Sequence, residues 1–162
     1  MPRQAGALFA TGMLNTGIRT EGDFALSLLG EYTENKSVPL KTSAFMGLAL
    51  AYAGSHREDL LAYLLPHVAD DTITMEISGL AALALGFIFV GSKHGEVSEI
   101  ILQTFMDKYE RGDKSLDEKW AKFMALGLGL LYLGEVSVCN DNVRLLTTLQ
   151  DFRMLLMRPL RH

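Results

Sequence analysis

The chain of 162 residues has a single cysteine, four prolines and one tryptophan. A lone Cys139 excludes an internal disulfide framework and a thiolate zinc cluster, and it fits a reducing compartment. Long hydrophobic runs are also missing. The longest is the thirteen residues from Gly79 to Gly91, against about 20 for a spanning helix. The mean hydropathy of +0.18 therefore reads as buried helices, and no membrane partner is expected. No long apolar h-region follows Met1-Pro2-Arg3-Gln4, so no signal peptide is expected. Excess positive charge is lacking: 15 Lys+Arg stand against 19 Asp+Glu, a net charge of −4. Phosphate-backbone binding needs a clustered basic face, so no nucleic-acid partner is expected; Arg153, Arg158 and Arg161 read as a charged terminus.

Catalytic signatures are absent as well. His56, His67, His94 and His162 stand far apart, with no HExxH and no paired Cys/His spacing, so no metal is expected. His94, between Lys93 and Gly95, reads as a solvated loop residue. Ser55 and Ser92 follow glycines but form no G-x-S-x-G elbow, and they read as helix caps. The stretch 34–38 has no P-loop glycines. The sequence therefore reads as a non-enzyme, with no catalytic residue and no cofactor.

What the chain does have is repetition. Apolar residues make up 49 % and charged residues 21 %, enough for one domain with a core. Four segments align on a terminal glycine: AGALFATGMLNTG ending at Gly17, TSAFMGLALAYAG at Gly54, GLAALALGFIFVG at Gly91 and KFMALGLGLLYLG at Gly134. The spacings are 54 − 17 = 37, 91 − 54 = 37 and 134 − 91 = 43 residues. Seven residues before each glycine stand Ala10, Gly47, Ala84 and Gly127; five before stand Gly12, Ala49, Gly86 and Gly129. The six extra residues of the third copy fit the polar stretch 111–119.

Each glycine-terminated stretch is apolar nearly all round, the mark of a helix covered on most sides. Its last glycine suits the left-handed position that closes a helix. A glycine inside a helix is unfavourable by roughly 1 kcal/mol relative to alanine, so the internal glycines call for close helix packing. A second stretch follows in each copy, marked by Leu28-Leu29, Leu64-Leu65, Ile101-Leu102 and Leu145-Leu146. With 100° per residue from Glu96, Val97, Ile101, Leu102, Phe105 and Tyr109 centre near about 180°, while Glu96, Glu99, Gln103 and Asp107 fall within about 60° of zero. Ile100 lies about 40° from that acidic stripe. Met46, Met75, Met106 and Met124 read as core filler. The fold class is all-α: an α-solenoid of about four helix–turn–helix units in a single repeat domain over 1–162, with repeats at about 5–37, 42–76, 79–118 and 120–157.

The segments GLALAYAGSHREDLLAYLLP (47–66), LAALALGFIFVGSKHGEVSEIILQTFMDKYE (80–110) and ALGLGLLYLG (125–134) resemble the proteasome/cyclosome repeat family. Within it they are similar to the non-ATPase subunit 2 family of the 26S proteasome regulatory particle base. The resemblance covers roughly residues 5–135; the segment 135–162 departs from the pattern. Family proteins are several times longer, so the chain reads as a fragment or truncated product. The resemblance implies an arc of a toroid built from two concentric helical rings, a non-catalytic scaffold on the ATPase ring, and a location in cytoplasm and nucleus. It also implies docking of ubiquitin and of the ubiquitin-like domains of shuttle factors, beside contacts with ATPase and other regulatory-particle subunits. The family's acidic ubiquitin-docking motif falls on Glu96, Gln103 and Asp107 of this sequence, with Gln103 where some members carry an acid.

An aliphatic Ile100 flanked by carboxylates, with Glu99 beside it, would match ubiquitin's apolar patch and its basic rim. Glu58, Asp59, Ala62 and Tyr63 on the preceding outer helix offer a second wall. The alternative is a purely structural segment that packs within the array and contacts no ubiquitin. Terminal repeats would expose apolar faces, so self-association or domain swapping is expected.

Overall fold

The computed structural model describes residues 2–17, 23–70, 72–112, 114–117 and 119–134. Leu145-Leu146, Cys139, His162, the three C-terminal arginines and the second half of the fourth repeat lie outside the described residues. The described residues form seven α-helices and no strand: α1 (Pro2–Leu14), α2 (Phe24–Leu29), α3 (Val38–Ala51), α4 (Leu61–Ala69), α5 (Met75–Ile88), α6 (Gly95–Glu110) and α7 (Lys119–Leu131). Short 3-10 turns at Gly30–Glu34, Glu58–Leu60 and Lys114–Asp117 extend α2 and lead into α4 and α7.

The helices sort into two rows. In one, α1, α3, α5 and α7 lie side by side, each packed on the next. In the other, α2, α4 and α6 cover them: α2 packs on α3, α4 on α5 and α6, and α6 on α7. The chain is thus an all-α solenoid. Every odd-numbered helix is the apolar stretch of a unit, and every even-numbered helix the amphipathic one. Phe45, Leu85, Ile88, Phe89, Ile101 and Leu128 are fully buried between the rows. Burying each such side chain stabilises by about 2 kcal/mol, which outweighs the roughly 1 kcal/mol lost at each helical glycine.

Gly12, Gly47, Gly86 and Gly127 have the packing reason that the sequence calls for, whereas Gly129 does not: a Cβ there would meet nothing within 4 Å. A Cβ on Gly86 would fall 2.5 Å from the carbonyl oxygen of Gly127, and one on Gly127 would fall 2.4 Å from that of Ala82. At the first boundary a Cβ on Gly12 would fall 2.2 Å from the Gly47 carbonyl oxygen. At these two boundaries the residue five before the terminal glycine of one unit meets the residue seven before that of the next.

The terminal glycines lock the units a second way. Gly17, Gly54, Gly91 and Gly134 all have positive φ, between +66° and +89°. From that turn the Gly54 N–H donates to the Phe87 carbonyl of the next unit (2.9 Å), and the His56 N–H to Ile88 (3.1 Å). One unit on, the Gly91 N–H donates to Leu130 (3.0 Å) and the Lys93 N–H to Leu131 (3.0 Å). Carbonyls in the last turn of a helix have no partner within it, and here the preceding unit supplies one. His56 and Lys93 take φ of +54° and +56°, a conformation unfavourable for side chains with a Cβ, and the cross-unit bonds hold them there.

The first unit differs from the others in one detail. Leu64 and Ile101, the first members of their aliphatic pairs, are fully buried, but in the first unit the buried member is the second, Leu29, while Leu28 is exposed.

Candidate protein-docking surface

The even-numbered helices present their outer sides to solvent, and α6 is the longest of them. Its start is fixed by His94. That residue is not a solvated loop side chain: it is half-buried, its ring packs 4.7 Å from that of Phe89, and its Nδ1 accepts from the Val97 N–H. Ser92 closes the preceding helix instead, its hydroxyl donating to the Phe89 carbonyl at 2.6 Å. His94 thus takes the N-cap position, where a side-chain acceptor satisfies a first-turn N–H.

The buried stripe of α6 is Val97, Ser98, Ile101, Thr104, Phe105 and Lys108. It is rotated by about 40° from the position the apolar residues alone predict. The rotation brings in polar groups whose partners are local. The Ser98 hydroxyl donates to the His94 carbonyl (2.8 Å) and receives the Tyr132 hydroxyl (3.2 Å). The Thr104 hydroxyl donates to Ile100 (2.9 Å) and reaches the Val68 carbonyl at the end of α4 (3.3 Å). Tyr109 and Met106, expected inside, are exposed. The same rotation exposes them: at 100° per residue from Glu96, Tyr109 lies about 80° and Met106 about 140° from the centre of the buried stripe. Met75 and Met124 do fill the core.

On the outer side Glu96, Glu99 and Gln103 are exposed, while Ile100 and Asp107 are half-buried. Ile100 packs its inner edge on the core cluster. The Gln103 amide donates to the Asp107 carboxylate at 2.7 Å, one turn apart. Glu96 stands in the first turn of α6, where the helix dipole favours negative charge. The surface therefore offers carboxylates around an aliphatic edge, with one carboxylate oriented by a neighbouring amide.

Glu58, Asp59, Ala62 and Tyr63 are also exposed, and of these Asp59 and Tyr63 have contacts on the side of the first unit. A Cβ on Gly30 would lie 3.5 Å from the Tyr63 ring. Asp59 and Asp23 both pair with the Arg57 guanidinium, Asp23 in a two-bond fork. The hydrogen bonds from Arg57 hold the Asp23 carboxyl below the usual carboxylate range. Arg57 also lies over the Tyr52 ring (5.0 Å to its centre), whose hydroxyl accepts from the Leu26 N–H. This cluster staples the second unit to the first. Its members were not grouped by the sequence; the signal was Asp23 and Arg57 standing 34 residues apart, near the repeat period.

Among the described residues no group of three or more His, Cys, Asp or Glu could hold a metal ion, and no helix is long and apolar enough to cross a membrane.

No protein-family model matches the chain. Curated relatives do. The chain is 46 % identical over 133 residues to the 26S proteasome regulatory subunit rpn-1 of Neurospora crassa, covering 81 % of this chain and 14 % of that protein. It is 48 % identical over 130 residues to the 26S proteasome non-ATPase regulatory subunit 2 of Dictyostelium discoideum, covering 80 % and 14 %. With the 26S proteasome regulatory subunit rpn1 of Schizosaccharomyces pombe it shares 46 % identity over 147 residues, covering 91 % and 16 %. The chain belongs to the 26S proteasome non-ATPase subunit 2 family. It spans about a seventh of the length of the first two of these subunit 2 relatives. By name these relatives are regulatory subunits of the 26S proteasome, and the Dictyostelium discoideum protein is a non-ATPase one.

Proposed function

We propose that the chain is a non-catalytic scaffold segment of the 26S proteasome regulatory particle that docks ubiquitin, or a ubiquitin-like domain, on the outer side of α6. The observation that supports this most is the exposure of Glu96, Glu99 and Gln103 around the half-buried Ile100 and Asp107. The Ile100 edge supplies apolar contact to ubiquitin's apolar patch, and the carboxylates steer its basic rim and fix the register. A single helix face is a small interface, so binding is weak and transient, and chained ubiquitin strengthens it by avidity. Contacts with ATPase and other regulatory-particle subunits would use other faces of the array, and the segment would work where the proteasome does, in cytoplasm and nucleus.

The test is a titration of isotope-labelled ubiquitin with the chain, beside a Glu96→Lys/Asp107→Lys variant. Both positions are outside the buried stripe, so the variant keeps its helical circular dichroism. Shifts confined to ubiquitin's apolar patch with the native chain and lost with the variant support the reading. Equal shifts with both proteins remove α6 as the docking face. Absence of shifts with the native chain favours the purely structural reading.

A further inference from the structure

The start of α6 hangs on one side chain, and a single proton can undo its hold. His94 is tied at four points. Its N–H donates to the Ser92 hydroxyl (3.2 Å), which in turn closes α5 through the Phe89 carbonyl. Its carbonyl receives both the N–H and the hydroxyl of Ser98, and Ser98 receives the Tyr132 hydroxyl from just past α7. Its ring lies on Phe89, and its Nδ1 accepts from the Val97 N–H at 3.4 Å. The N-cap residues of α2, α3, α4 and α5 make no side-chain bond of this kind. The first turn of α6 opens with Gly95, where an added Cβ would meet nothing within 4 Å. Neither helix propensity nor packing at Gly95 therefore holds that turn.

A ring nitrogen that accepts from an N–H carries no proton. The neutral His94 ring thus keeps its proton on Nε2, whereas a charged ring donates from both nitrogens and cannot cap. Its charge would also sit at the positive end of the helix dipole. Histidine is the side chain that ordinarily changes charge between about pH 5 and 8. The other charged and titratable groups around His94 are Lys93 and Glu96 on its own segment, Tyr132 through Ser98, and His56 on the same Phe89 ring. Lys93 opposes a charge on His94 and Glu96 favours it. His56 donates through Nε2 to the Val90 carbonyl (3.0 Å), a bond that either charge state keeps.

We infer that His94 is a positioning residue of the α6 docking face: its uncharged ring holds the first turn, and with it Glu96, where the partner meets them, and docking weakens when the ring takes up a proton. This rests on the docking proposed above. Two effects act in the same direction. Loss of the cap frays the first turn and releases Glu96, two residues on. The new positive charge then faces a partner whose rim is basic.

The test repeats the ubiquitin titration with the full chain at about pH 7.5 and about pH 5.5, and follows hydrogen exchange of the Val97 amide, corrected for its intrinsic rate. On acidification the native chain should lose about fivefold in Val97 protection, the worth of an ordinary N-cap, and bind ubiquitin several-fold more weakly. His94→Asn and His94→Ala both lose the ring contact with Phe89, and only asparagine keeps an acceptor that no proton blocks, so their difference isolates the cap. The asparagine variant should bind equally at both pH values, and the alanine variant weakly at both, with helicity unchanged in each. Native protection that does not move with pH overturns the inference. So does an equal pH response in His94→Asn, which would assign it to ubiquitin or to the carboxylates, or native affinity in His94→Ala. Absence of ubiquitin shifts at either pH removes the docking reading and this inference with it; a pH-independent Val97 beside intact docking removes this inference alone.

Discussion

Two glycines of the same pattern should respond in opposite ways to alanine. Gly86 and Gly129 both lie inside helices, five residues before a terminal glycine. At Gly86 an added Cβ would sit 2.5 Å from the Gly127 carbonyl oxygen and 2.6 Å from its Cα. Both atoms are backbone and cannot rotate away, so α5 and α7 must separate by roughly 1 Å to restore ordinary contact. Overpacking of this kind is unfavourable by about 3 kcal/mol, at the upper end of its usual range. The higher helix propensity of alanine returns about 1 kcal/mol, for a net loss of about 2 kcal/mol. At Gly129 nothing lies within 4 Å of the new methyl, so only the propensity gain of about 1 kcal/mol remains. For a chain of this size each kcal/mol moves Tm by about 2–4 °C. Gly86→Ala should lower Tm by about 4–8 °C and Gly129→Ala raise it by about 2–4 °C. Helical circular dichroism through thermal unfolding, at low micromolar concentration, reads both. Equal shifts for the two variants would refute the reasoning, because they would show that helix propensity alone, and not backbone contact, sets the residue at these positions.

Two further outcomes follow from single side chains. His67 is buried against Phe45, with Nε2 3.2 Å from a Glu34 carboxylate oxygen but out of line for a hydrogen bond. Burial, then Lys41, pushes its pKa below the ordinary value of 6.5, with Glu34 and Asp70 opposing. The unfolded chain therefore takes up the proton first, and stability should fall as pH drops below about 6.5. In urea unfolding from about pH 8 to about pH 5, His67→Leu should flatten that slope; parallel curves for the two proteins would exclude His67 as its source. Gln103→Glu removes the 2.7 Å bond to Asp107 and sets like charges one turn apart. It should lower stability by about 0.3 kcal/mol yet tighten ubiquitin docking, as read by the same titration; unchanged affinity would take residue 103 out of the face.

Much of the fold was legible because its main constraints fall on small residues at fixed spacing. The positions of Gly54 and Gly91 predicted left-handed turns, and the small residues at Gly86 and Gly127 predicted close backbone approach; both are found. The acidic residues of α6 were placed outward by simple rotation. What rotation missed is instructive. Ser98 and Thr104 are buried on α6, and a pattern that counts only apolar residues cannot place polar groups whose partners are a neighbouring carbonyl or hydroxyl. Tyr109 was placed inside by a rotation centred on the apolar residues alone and Met106 by its residue type, and both lie off the stripe that is buried. The contacts that Asp59 makes with Arg57 and Tyr63 with the bare backbone of Gly30 carry no signal in helix periodicity. His56 and Lys93 carry no composition signal for positive φ, although both stand two residues after a terminal glycine.

The bonds from Gly54 to Phe87 and from Gly91 to Leu130 have an evolutionary consequence. Both partners are backbone groups, one in the turn that ends a unit and the other in the last turn of the next unit's helix. A gene segment that encodes one whole unit therefore encodes a donor for its successor and an acceptor for its predecessor. Tandem duplication can lengthen such an array without inventing a new side-chain contact, and the copies are then free to diverge on their outer helices. The longer third spacing shows the same freedom: its extra residues lengthen α6 and the link from α6 to α7, away from both halves of the bond, so an insertion there changes the surface while the join between units is inherited intact.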